Sequence, residues 1–143
     1  MEFNIKSLLI SLCAFLVIST SSYGDSEELK DAIANGKQEF QDSCFLCHGD
    51  DGKGKGPFAS MLVIKTADLT KLSKNNNGAF PFKEVYLSID GRDQIKQHGP
   101  RQMPIWGDRF QATTWASVST DHASTLVRGK IFELMLYIES IQE

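Results

Sequence analysis

Two cysteines three positions apart, with a histidine directly after the second, constrain this chain more than any other feature of its sequence: Cys44-Phe45-Leu46-Cys47-His48. A disulfide between them would close so short a loop that it would take little entropy from the unfolded chain, so the pair cannot staple a fold to itself. A staple is nevertheless needed. The segment from Asp25 to Glu143 is one small domain's worth of chain, and core burial alone leaves a domain of that size only modestly stable. The constraint has to come from whatever the two sulfurs bond to.

The spacing names that group. Thiols one helical turn apart reach two vinyl groups on one edge of a porphyrin, and the adjacent histidine is then directed at the metal, which is the attachment signature of haem c. Cys44 and Cys47 are therefore expected to hold one covalent haem as thioethers, with His48 as an axial iron ligand. Zinc would need four ligands, and the sequence has no second Cys or His pair at short spacing. A redox dithiol would be expected beside a strand in a βαβ setting, and strand patterns are weak throughout.

A second axial ligand of the thioether type would favour ferrous iron and raise the reduction potential. Three methionines follow residue 24. Met135 lies beside Leu134 and Tyr137 in a helical pattern and reads as core. Met61 follows the attachment site too closely for the chain to wrap around a haem. Met103 lies between His98-Gly99-Pro100 and Pro104-Ile105-Trp106-Gly107, a stiff loop with the necessary reach, and is the expected second ligand. His98 could coordinate only by displacing Met103, and His122 is a weaker candidate still. For Trp106 two roles stand level: a shield over the haem or ordinary core.

Ahead of this domain, Ser7 to Thr20 is an apolar run preceded by Lys6 and followed by small residues up to Gly24. That order describes a secretory signal peptide over residues 1–24, with residues 25–143 as the exported domain. The run is shorter than the roughly 20 apolar residues a membrane span requires, and the rival reading is an uncleaved tether. Cys13 lies inside the run after Leu12, which argues against lipid attachment.

The periodicity of the remainder is helical. Asp25 to Asp42 forms a helix with Asp25 as cap, Glu28 as capping-box partner and a stripe of Leu29, Ile33, Gly36 and Phe40. Gly49 to Pro57 is a glycine-rich charged loop. Short helices are expected at 70–77 and 82–89, the second closed by Gly91. The clearest helix runs from about Ser124 to Gln142, with Val127, Ile131, Leu134, Ile138 and Ile141 on one face. Asp108 to Ala123 reads as a polar stretch with Phe110 and Trp115 as its only large apolar side chains, either a partner-binding flap or a plain loop. The fold class is all-α.

These residues resemble the class I cytochromes c over nearly all of residues 25–143. In that family a glycine and an aromatic precede the first haem cysteine at four-residue steps, as Gly36, Phe40 and Cys44 do here. The family's last helix crosses the first at that glycine with a leucine and an aromatic three apart, matched by Leu134 and Tyr137. Ala67-Asp68-Leu69-Thr70, His98-Gly99-Pro100 and Met103-Pro104-Ile105-Trp106-Gly107 look like the bacterial single-haem branch, akin to cytochrome domains of haem–copper oxidase subunits. The resemblance implies the cytochrome c fold, with the N- and C-terminal helices crossing and short helices and loops wrapped around one haem. One departure concerns the proline that commonly precedes that Ala-Asp-Leu-Thr, whose carbonyl receives the proton of the ligand histidine. Here the residue is Thr66, and Pro57 is the candidate replacement.

A haem with both axial positions filled by protein has no place for a substrate and can only change charge. The expected function is thus electron carriage rather than catalysis, by an exported periplasmic monomer serving a redox-protein donor and acceptor, with no nucleic-acid partner. Two alternatives stand beside it: a haem subunit of a dehydrogenase or oxidase, and a peroxidase or gas sensor with a displaceable Met103. Residues 53–101 hold nine basic side chains against four acidic ones, in a chain of net charge -3. They are expected either to form a basic face that steers an acidic partner or to be lysines scattered over a solvated surface.

Overall fold

A helix that carries an apolar residue at every third or fourth position must bury that face against something. In the computed structural model, which describes residues 24–92, 103–115 and 120–143, the face at Val127, Ile131, Leu134 and Ile138 is buried to within 3%. Among the described residues there are six α-helices and no strand: α1 (Gly24–Ser43), α2 (Phe45–His48), α3 (Leu72–Asn75), α4 (Phe82–Asp90), α5 (Trp106–Trp115) and α6 (Thr120–Ser140). Single 3-10 turns stand at Ala59–Met61 and Leu69–Lys71. The all-α expectation holds.

The chain divides into two units, residues 1–30 and 31–143. Of the first, the described part is the opening of α1, where Lys30 and Glu27 pair at 2.7 Å on the exposed surface. The apolar run Ser7–Thr20 lies outside the described residues. No helix among the described residues is long and apolar enough to cross a membrane. Asp25 falls inside α1 instead of capping it, because the helix already runs at Gly24. Leu29 is 49% exposed, and Ile33, a turn later, is partly buried against the core.

In the second unit α1 crosses α6 at Gly36. A Cβ at Gly36 would overlap the backbone carbonyl of Glu133 and lie 3.0 Å from the Leu134 nitrogen, so hydrogen alone lets the two backbones approach this closely. Phe40, fully buried, stands 5.2 Å from the Tyr137 ring in a tilted pair. Polar contacts frame the crossing, with Lys130 on Glu39 at 2.7 Å and Asn35 donating to Glu133 at 3.3 Å. Full burial of each large apolar side chain here contributes about 1.5–3 kcal/mol. Val85 and Ile89 of α4 and Phe110 of α5 complete the same core.

Helix α5 corrects the expectation that residues 108–123 form a loop or flap. Trp106 to Trp115 is helical, Phe110 is 3% exposed and packs 5.7 Å from Trp106, and α6 already begins at Thr120. A two-residue apolar anchor, Trp106 and Phe110, is too short a stripe to announce a helix by periodicity. The short helix read at 70–77 is split into a 3-10 turn and α3, ending where Asn77 and Gly78 turn left-handed at φ 55 and 86.

Candidate cofactor site

The cysteine turn is a continuation of α1. Cys44 donates its N–H to the Phe40 carbonyl at 2.8 Å, and the His48 N–H reaches the Cys44 carbonyl at 2.9 Å, so Cys44, Cys47 and His48 share one turn. The glycine-rich loop folds back onto that turn. Gly56, Gly54 and Phe58 donate backbone N–H groups to the Cys47, His48 and Leu46 carbonyls at 3.1, 2.7 and 2.8 Å, satisfying acceptors that a helix end leaves open.

The next segment orients the histidine. His48 Nδ1 lies 3.1 Å from the Ala67 carbonyl oxygen. A carbonyl can only accept, so Nδ1 carries the proton and Nε2 keeps its lone pair for a metal. This corrects the sequence expectation: the carbonyl belongs to neither Thr66 nor Pro57 but to Ala67. Asp68 holds that peptide in place by accepting from the Thr70 N–H at 3.0 Å and its hydroxyl at 2.6 Å. Those bonds, the Thr70 hydroxyl foremost, hold the Asp68 carboxyl below its usual range. The C-terminus pins the same segment, since Gln142 donates to the Leu69 carbonyl at 2.7 Å and Glu143 to that of Thr70 at 2.9 Å.

Burial sets the charge state of these groups. Burial foremost, then the Glu39 carboxylate and Cys47, push the Cys44 thiol from its ordinary 9.0 up to about 12, so it stays a neutral thiol. The two sulfurs are not bonded to one another. Burial also lowers the His48 imidazole below its ordinary 6.5, against the opposing pull of the Ala67 hydrogen bond. A base depressed in the folded state takes its proton more readily when unfolded, so the stabilisation it provides is complete above 6.5 and is lost as pH falls below it. A metal held at Nε2 adds to the same dependence. The thermal midpoint is therefore expected to drop on acidification through the mildly acidic range, and a midpoint flat across that range would contradict it.

Cys44, Cys47 and His48 open onto a cavity of about 540 Å³ that Met103 also lines. Met61 is 74% exposed on its 3-10 turn, outside the cavity lining, and Met135 is 3% exposed in the core. His98 lies outside the described residues. His122 stands exposed on α6, away from the lining. Trp106 lines the cavity and also packs on the core. Among the described residues no group of three His, Cys, Asp or Glu could hold a metal ion on its own.

The sequence model of one family, Cytochrome c, matches residues 33–113, more than half of the chain. The chain belongs to the cytochrome c family. It is accordingly a haem-binding, electron-carrying protein, and the matched span runs from α1 through the cysteine turn and Met103 into α5. No curated protein and no solved structure matches the chain.

The lining of this cytochrome's cavity fits a haem. Its walls are mostly apolar, and among the described residues no acidic side chain lines it whereas Lys65 and Arg109 do, as suits a flat apolar group bearing carboxylates. Thr66 Oγ1 is the one buried side-chain polar atom without a hydrogen-bond partner among the described residues, and Thr66 is part of the same wall. Sequence reasoning counted Lys65 within the basic stretch 53–101 but did not single out Arg109 or the apolar walls Leu46, Phe58, Leu62 and Ile64. The run Met61-Leu62-Val63-Ile64, apolar directly after a glycine-rich loop, was the available signal.

Proposed function

We propose that this cytochrome is an exported single-haem c-type carrier that passes electrons one at a time between redox partners and performs no catalysis of its own. Cys44 and Cys47 hold the haem through thioethers, His48 ligates iron through Nε2, and Met103 supplies the second axial bond. When bound, the haem supplies a one-electron ferric/ferrous couple. The chain's own residues anchor it, keep the imidazole neutral and oriented through Ala67, surround it with apolar walls that exclude water, and offer a soft thioether that favours the ferrous state. The observation that carries this reading is the meeting of His48 and Met103, 55 residues apart in the chain, on one cavity with the two cysteines. A peroxidase would need an acid–base pair beside the iron, and the described lining holds no carboxylate and no histidine besides His48.

Protein matured in a host with haem c assembly is expected to give the pyridine haemochrome of a doubly thioether-linked haem and the far-red band of methionine on ferric iron. Met103→Ala is expected to abolish that band, lower the reduction potential and tighten binding of added imidazole by at least about tenfold, since iron no longer has an internal competitor. A wild-type ferric spectrum without the band, or Met103→Ala indistinguishable from wild type, contradicts the assignment.

Export by residues 1–24 to the periplasm, and placement in the bacterial single-haem branch akin to oxidase-linked domains, belong to the same proposal. So does an acidic partner. Lys55, Lys65, Lys74 and Lys83 are exposed without an ion pair among the described residues, whereas Lys53, Lys71 and Arg92 pair with Glu143, Asp68 and Asp90.

A further inference from the structure

The chain that delivers Met103 leaves α4 at Gly91 and enters α5 at Trp106, and one side-chain cluster ties these two points together. Asp90, the last residue of α4, is 6% exposed. A carboxylate buried at a helix C-terminus is disfavoured both by desolvation and by the helix dipole, so it needs a cation. Arg92 provides one, donating to Asp90 Oδ1 from Nη2 at 2.7 Å and from Nε at 2.9 Å. The same guanidinium reaches into α5, where Nη1 donates to Gln111 Oε1 at 3.4 Å.

The first turn of α5 is seated directly on this pair. A Cβ at Gly107 would lie 2.6 Å from Arg92 Nε and 2.8 Å from the Asp90 carbonyl oxygen, and would overlap Asp90 Oδ1. Glycine is thus the residue that lets α5 dock on the end of α4, and the Asp90–Arg92 pair is the surface it docks on. Met103 stands three residues before α5 begins.

We propose that Arg92 is a positioning residue for Met103: by joining Asp90 to α5 it fixes the anchor from which Met103 reaches the cavity, and so sets how readily another ligand displaces it. This role depends on Met103 being the iron ligand proposed above. A thioether is a weak donor whose hold on iron relies on being kept at the metal, so loosening its anchor raises the fraction of time the iron is open. The apparent affinity of a competing ligand rises in proportion to that fraction.

The test is an imidazole titration of the ferric holoprotein, read by loss of the far-red band, alongside a denaturant unfolding curve for each variant. Arg92→Gln and Gly107→Ala are expected to bind imidazole at least about tenfold more tightly than wild type. Arg92→Lys, which keeps the charge but not the two-pronged contact, falls between and provides a folded arm should the others fail to mature. Ile131→Val, a core change away from the cavity lining, lowers stability without altering imidazole binding. The proposal is overturned if Arg92 and Gly107 variants bind imidazole within about twofold of wild type, or if Ile131→Val tightens binding as much as they do at equal loss of stability. A Met103→Ala arm separates failure of the ligand assignment: if it binds imidazole as wild type does, Met103 is not the ligand and the role of Arg92 falls with it.

Discussion

A chain carrying Cys44→Ser and Cys47→Ser together is expected to leave a haem c-competent host with no covalently held pigment and with most of its folded population gone. The serine hydroxyl does not form the vinyl thioether, so whatever haem remains is held by axial ligands alone and is extracted by acidified acetone. The loss of fold follows from the cavity. Its walls include Leu46, Phe58 and Ile64, which are 44%, 47% and 52% exposed in the polypeptide itself. Covering side chains of this size contributes about 1.5–3 kcal/mol each when complete. Forgoing several such terms, together with the constraint that two covalent bonds place on the unfolded chain, removes an amount comparable with the whole stability of a small domain, about 5–15 kcal/mol. Absorbance before and after extraction and far-ultraviolet circular dichroism check both halves. Pigment that resists extraction from the double variant would refute the attachment chemistry.

Gly36→Val is expected to prevent the domain from folding, or to destabilise it by more than about 3 kcal/mol, beyond the ordinary cost of an overpacked core. The reason lies in what the new side chain meets. It meets backbone, the Glu133 carbonyl and the Leu134 nitrogen, and backbone in the middle of α6 cannot swing aside as a side chain could. The two helices would have to separate at the point where Phe40, Leu134 and Tyr137 close the core. Gly129 is the internal contrast. It lies on α6 with nothing within 4 Å of its would-be Cβ, so Gly129→Ala is expected to stabilise by up to about 1 kcal/mol through helix propensity. Denaturant unfolding of both variants compares them directly, and a Gly36→Val protein as stable as Gly129→Ala would show that the crossing does not need a glycine.

The sequence by itself determined those features whose cause is local. The cysteine turn is legible because its two thiols and its imidazole fall within five consecutive residues. The buried face of α6 is legible because a helix repeats every 3.6 residues whatever it packs against, and the Gly36, Phe40, Leu134 and Tyr137 crossing is legible through family likeness. Met103 stood out because Pro100 and Pro104 stiffen the chain on either side of it. Tertiary structure alone decided which carbonyl faces His48, since every residue carries the same carbonyl and nothing in the sequence marks the one at Ala67, 19 positions away. It decided that Trp106–Trp115 is helical, because a short polar helix with a two-residue anchor draws its stability from the surface it docks on and not from its own pattern. For the same reason the pairing of Asp90 and Arg92 beneath Gly107 is visible only in the folded protein: a charge two residues from another becomes a clamp only when a third segment arrives to be held.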